Sequence, residues 1–100
     1  MVLTIDRITQ AVHSACRGRP VSAAFLFGSY ARGEATAESD VDLRIECTGC
    51  YRFSDVLDIQ EALERELGLS VDVLSKPKRL MAPEFRAALD RDERLICVTQ

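Results

Sequence analysis

The sequence predicts a mixed α/β fold (α+β in its segregation): one layer of β-sheet with helices packed mainly on one face. Short apolar runs bounded by glycine or proline alternate with segments of helical periodicity. That alternation implies a sheet layered against helices, mixed rather than purely parallel. A length of 100 residues supports one core and one domain, taken as residues 1–100.

The elements follow in order. Thr4 can cap a first helix, in which Ile5, Ile8, Val12 and Ala15 keep helical spacing until Gly18 and Pro20 end it. Val21 to Phe27 is a compact apolar run and reads as a buried strand. Val41 to Cys47 alternates and reads as a second strand. Ser54 is the expected N-cap of the next helix, with Asp55 and Asp58 at the positive end of its dipole. Val56, Ile59, Leu63 and Leu67 share a face of that helix, and Gly68 closes it. Ser70 to Leu74 reads as a third strand. Pro83 suits the first turn of a last helix that turns Phe85, Ala88 and Leu89 inward. Leu95 to Val98 reads as a final short strand, with an extended tail as the alternative.

Composition narrows the function classes. A formal charge of -3 argues against a protein that grips nucleic acid by neutralising phosphates. Lys76, Lys78 and Arg79 make only a short basic stretch, read as a solvated loop. No apolar run reaches the length of a membrane span and no signal-peptide pattern opens the chain, so the expected location is the cytoplasm. Of the four cysteines, Cys16, Cys47 and Cys97 lie in or beside apolar segments, where a reduced thiol behaves as a small hydrophobe. Cys47-Thr48-Gly49-Cys50 spells Cys-x-x-Cys. It lacks the second pair of a zinc ribbon, and Tyr51-Arg52-Phe53 intervenes before the helix, so redox or metal work there is the lesser reading.

The chemistry concentrates in Gly28-Ser29-Tyr30-Ala31-Arg32-Gly33 and, ten residues after Ser29, Ser39-Asp40-Val41-Asp42-Leu43. Residues two apart on a strand point the same way, so Asp40 and Asp42 offer two carboxylates to one face. Asp72 stands between Val71 and Val73 on another expected strand, and joins the pair if that strand is a neighbour. Three gathered carboxylates repel unless one is protonated or a cation intervenes. Magnesium suits them, being held by one or two carboxylates together with substrate phosphates. Two such ions roughly 4 Å apart can activate a hydroxyl and stabilise a leaving pyrophosphate. Gly28 permits close backbone approach, and Ser29 can donate through its amide and its hydroxyl to a phosphate. If residues 29 to 33 open a helix, their amides aim at that anion. Arg32 either reaches the same phosphates or pairs with Glu34. Glu34 to Ser39 is polar and small, and reads as a mobile loop. Arg44 falls on the same strand face as Asp40 and Asp42. It is either a solvated residue beyond the site or a counter-charge that contacts phosphate or folds onto Asp42. His13 belongs to a helix surface.

These residues resemble the polymerase beta-like nucleotidyltransferase superfamily, and more narrowly its minimal nucleotidyltransferases, the MNT proteins. The match rests on Gly28, Ser29, Asp40, Asp42 and Asp72 and covers residues 1 to 98. The resemblance implies a polymerase beta-like core. It implies that Asp40, Asp42 and Asp72 hold two Mg2+ ions, with Mn2+ as a substitute, and that Asp72 helps deprotonate the acceptor. Gly28 and Ser29 would bind the β- and γ-phosphates of ATP, with Arg32 beside them. The implied activity is that of an antitoxin moving AMP from ATP to a tyrosine of a helical HEPN ribonuclease partner. Two alternatives stand beside it: a weakly active or inactive antitoxin that neutralises its partner stoichiometrically, and a transferase acting on a small-molecule hydroxyl of the aminoglycoside type. No direct nucleic-acid or membrane contact is expected, and self-association stays open. A chain of this length has no room for a further helical domain, so a second protein is expected to complete the site. Tyr51, Phe53, Leu80 and Met81 are the apolar candidates for that contact, with core packing the favoured role for Phe53.

Overall fold

The computed structural model describes residues 2–49 and 52–98. Helix α1 (Ile5–Cys16) leads into strand β1 (Val21–Phe27), which passes straight into the short helix α2 (Gly28–Arg32). Strand β2 (Val41–Cys47), helix α3 (Phe53–Leu67) and strand β3 (Val71–Leu74) follow. A 3-10 turn at Lys78–Leu80, helix α4 (Pro83–Asp92) and strand β4 (Arg94–Val98) complete the chain. The four strands form one sheet in the order β3-β2-β1-β4. β1 runs antiparallel to both β2 and β4, whereas β2 and β3 are parallel, so the sheet is mixed as the alternation implied.

Local chemistry accounts for the ends of most elements. The Thr4 hydroxyl accepts from the Arg7 amide at 3.1 Å and caps α1. Gly68 ends α3 in the left-handed region with φ of 74°. The start of α3 differs from expectation. Arg52, not Ser54, holds the N-cap position, and Asp55 reaches back to accept from the Arg52 amide at 2.9 Å. A carboxylate at the third helical position does the work assigned to Ser54.

One face of the sheet carries the core. Val41, Leu43 and Ile45 of β2, Ala24 and Leu26 of β1 and Val71 of β3 meet Ile8, Ala11, Val12 and Ala15 of α1 and Val56, Ile59 and Leu63 of α3. Strand alternation then fixes the other face, where Phe25, Phe27, Asp42, Arg44 and Asp72 emerge. Helix α4 lies on that second side, with Phe85 edge-on to Phe27 at 6.0 Å between ring centres. Phe85 is therefore not in the core: it is 41 % exposed, and Leu89 alone of the expected trio is fully buried. Phe53 is 70 % exposed, because the covered stripe of α3 begins at Val56; Met81 is buried, and Leu80 alone keeps the exposed position expected of that pair. Tyr51 and Cys50 lie outside the described residues. Cys16, Cys47 and Cys97 are free thiols, and burial pushes the Cys16 thiol up to about 11, which keeps it protonated and unreactive. His13 is exposed on α1, with Nδ1 3.7 Å from Cys97 Sγ. Among the described residues, no helix is long and apolar enough to cross a membrane.

Candidate active site

The site is built where β1 becomes α2 with no intervening loop. Gly28 makes that junction at a φ of 73°, a backbone state that glycine adopts without strain. Space demands glycine as well, since a Cβ there would overlap Asp42 Oδ2 and stand 3.1 Å from Asp42 Cγ. Tyr30 drives its ring into the core and accepts from the Leu3 amide at 3.4 Å, which pins α2 in place. The first turn of α2, at Ser29, is thereby held beside the Asp42 carboxylate.

Asp42 pairs in register with Phe27 on one side and with Asp72 on the other. In a parallel pair, side chains in register share a face, so Asp42 and Asp72 look at each other. Burial, then the Asp72 and Asp40 charges, and then a hydrogen bond with Asp72 push the Asp42 carboxyl up to about 6; the Arg32 charge pulls the other way. Asp40 precedes β2 on an exposed stretch, close enough for its charge to act on Asp42. The structure thus brings Asp42 and Asp72 to the same face beside Gly28, with Asp40 near enough for its charge to act on Asp42. Among the described residues, no three acidic, histidine or cysteine side chains stand together as a group that could hold a metal ion. The facing pair Asp42 and Asp72 is a two-carboxylate donor set, of the kind that holds a hard cation whose remaining oxygens come from phosphate or water.

Arg32 adopts the pairing with Glu34 at 2.8 Å, and it also lies 3.8 Å from Asp92 at the end of α4. The loop that follows closes on itself. Ser39 Oγ accepts from the Thr36 amide at 2.8 Å, and the Ser39 amide donates to the Thr36 carbonyl at 3.1 Å. The segment expected to be mobile is a hydrogen-bonded turn that delivers Asp40 to the start of β2.

The solvated reading of Arg44 is overturned, and the counter-charge it supplies goes to Glu93 and Glu46, not to Asp42. Its side chain is 3 % exposed and its Nε donates to Glu93 at 2.9 Å, while NH1 donates to Glu46 at 2.9 Å. The guanidinium lies 4.3 Å above the Phe25 ring. It neither reaches solvent nor folds onto Asp42. Lys78 joins the same network, donating to Glu93 at 2.7 Å and to Asp90 at 2.6 Å, so it is no solvated loop residue. Burial works against the Glu93 charge, but hydrogen bonds from Arg44 and Lys78 outweigh it and hold that carboxyl below its ordinary value. Glu93 and Asp92 escaped the sequence reading. An arginine at an inward strand position demands a buried acid, and that was the available signal.

Comparison with known proteins agrees with this geometry. Residues 10–100 match the family described as Polymerase beta, Nucleotidyltransferase. A protein of Methanocaldococcus jannaschii, provisionally named a protein adenylyltransferase, is 44% identical over 69 residues, 67% of this chain and 68% of the relative. A solved structure provisionally described as a minimal nucleotidyltransferase superposes with a TM-score of 0.74 at 32% identity, covering 92% of this chain and 95% of that one. A chain from the complex of a tri-AMPylated Shewanella oneidensis HEPN toxin with an MNT antitoxin shares the fold, with a TM-score of 0.62 at 16% identity over 96% of this chain and 71% of that one. With a glycine turn set against facing aspartates and a family match over nearly its whole length, this chain belongs to the polymerase beta nucleotidyltransferase family.

Proposed function

We propose that this chain moves AMP from ATP to a hydroxyl of a partner protein, a tyrosine of a HEPN-type ribonuclease, and silences that toxin as its antitoxin. The observation that carries the reading is the Asp42–Asp72 pair facing each other beside Gly28. The names of the relatives support it: one is provisionally a protein adenylyltransferase, and a chain of the same fold comes from a complex with an AMP-modified HEPN toxin.

Gly28 and Ser29 would take the β- and γ-phosphates. The open first turn of α2 offers amides without intrahelical partners, and Ser29 adds a hydroxyl. Arg32 would leave Glu34 to add positive charge beside them. Asp40, Asp42 and Asp72 would hold divalent metal, two Mg2+ ions with Mn2+ as a substitute. When bound, these ions would neutralise the acidic trio and the charge that develops on the leaving pyrophosphate. Asp72 would accept the proton of the acceptor hydroxyl. The hydroxyl oxygen then bonds to the α-phosphorus as the bond to the bridging oxygen of the β-phosphate breaks, and pyrophosphate departs. Because Arg44 is engaged by Glu93 and Glu46, it does not compete for Asp42. That removes one of the two grounds for a purely stoichiometric antitoxin; the small open site is the other.

Incubating the protein with labelled ATP, magnesium and the product of the neighbouring gene tests the reading. Label should reach the neighbour's tyrosine and vanish with Asp42→Asn. An unlabelled neighbour, or equal labelling by the variant, overturns it.

A further inference from the structure

A cavity of about 190 Å³ opens beside the glycine turn, on the side away from the core. Phe27, Phe85 and Ala88 form its apolar walls, Gly28 closes one end, and Arg32 and Asp92 stand at its polar rim. Phe27 and Phe85 meet edge to face at an interplanar angle of 82°, so two aromatic rings line the space. Phe85 remains 41 % exposed although it sits on a helix with a buried Leu89, so a large aromatic surface lies open at the mouth.

We propose that this slot receives the purine base of the nucleotide whose phosphates lie over Gly28, an inference that rests on reading the Gly28–Ser29 turn as the phosphate site. Size favours a base over a whole ligand. Pockets for complete drug-sized molecules run from about 300 to 1,000 Å³, and this one has room for a single flat ring system. Chemistry favours the same occupant, because aromatic faces hold bases by stacking without demanding one hydrogen-bond pattern. A bicyclic purine covers more of Phe85 than a single pyrimidine ring does. Continuity supplies the connection, since Gly28 and Arg32 belong to both the turn and the slot. In the unliganded arrangement Arg32 is bound at the rim, 3.8 Å from Asp92. When Arg32 turns to the phosphates, Asp92 keeps Arg91 at 3.1 Å as a partner and gains room to accept an amino N–H of the base. Engagement of the phosphates and opening of the base slot are thereby linked through one arginine.

Equilibrium binding of ATP and of inorganic tripolyphosphate, each with magnesium and without any acceptor protein, tests the slot. The native chain should prefer ATP by about tenfold, the scale of one stacked base. Phe85→Ala should remove that preference while tripolyphosphate affinity stays within twofold. Ala88→Phe, which fills the slot and leaves Phe85 in place, should do the same. Native binding without preference for ATP, or both variants keeping ATP affinity within twofold, or both losing the two ligands equally, overturns the proposal. Failure of the transfer reading is seen separately: a partner left unlabelled while the Phe85-dependent preference persists removes the enzyme and keeps the slot. Labelling with an unaltered KM for ATP in Phe85→Ala removes the slot and keeps the enzyme.

Discussion

Asp42 and Asp72 occupy matching positions on adjacent parallel strands, and each carboxyl opposes the charge of the other. Burial and the neighbouring acids raise the Asp42 carboxyl to about 6, so the fold binds a proton that the unfolded chain releases near the ordinary value of 3.8. A raised carboxylate pKa means stability that is full below the unfolded value and declines as pH rises through the folded one. Without metal, the chain should therefore melt at a lower temperature at pH 7.5 than at pH 5. Asp42→Asn should flatten that difference and raise the melting temperature at pH 7.5. Thermal melts in a chelating buffer read both effects, and an unchanged pH slope in the variant refutes the assignment.

Gly28→Ala should cost more than Gly33→Ala. Both positions have a φ of 73°, and each substitution carries a backbone penalty of about 1 kcal/mol. A Cβ on Gly33 meets nothing within 4 Å, whereas one on Gly28 collides with Asp42. Urea unfolding should give about 1 kcal/mol for Gly33→Ala and about 3 kcal/mol for Gly28→Ala. Labelling activity should be lost only in the latter.

Arg44→Leu should destabilise the chain by about 2 kcal/mol, because Glu93, whose side chain is only 11 % exposed, loses both Arg44 hydrogen bonds and keeps only Lys78 of its two cations. Urea denaturation at neutral pH measures the loss.

Acid should weaken the same network. The Glu93 pKa is depressed in the fold, so its contribution is present above the ordinary glutamate range and is lost as pH falls through the folded value. Glu93→Gln should leave stability less sensitive to acid between neutral pH and that range. A Tm profile as steep as that of the native chain would contradict this.

Leu63→Ala and Phe53→Ala should separate cleanly although both residues lie on α3. Leu63 is fully buried in the core, and its truncation should cost about 3 kcal/mol. Phe53 projects into solvent, and its loss should change folding stability by less than about 0.5 kcal/mol.

The strands and helices were legible because each apolar stripe has one period and one place to be buried. Thr4, Gly68 and Pro83 mark boundaries by local chemistry that needs no distant partner. Gly28, Asp40 and Asp42 were legible for a related reason, since turn geometry and strand alternation act over a few residues. Arg44 was not, because its partner Glu93 lies 49 residues on and only the tertiary fold joins them. Phe85 misled through correct helical phase, as α4 packs on Phe27 rather than on the core. Phase fixes which residues share a face of a helix, and it leaves open how far the opposing surface extends; Phe53 shows the same limit.

The parallel pairing of β2 with β3 has a consequence for inheritance of the site. A slip of one position would rotate Asp72 beneath the helices, carry Val71 and Val73 out to water, and leave Asp42 with no opposite number. The oily side of that ladder thus acts as the jig for its acidic side. Any substitution that loosens Val71 against Val41 should be felt as lost chemistry before it is felt as lost structure.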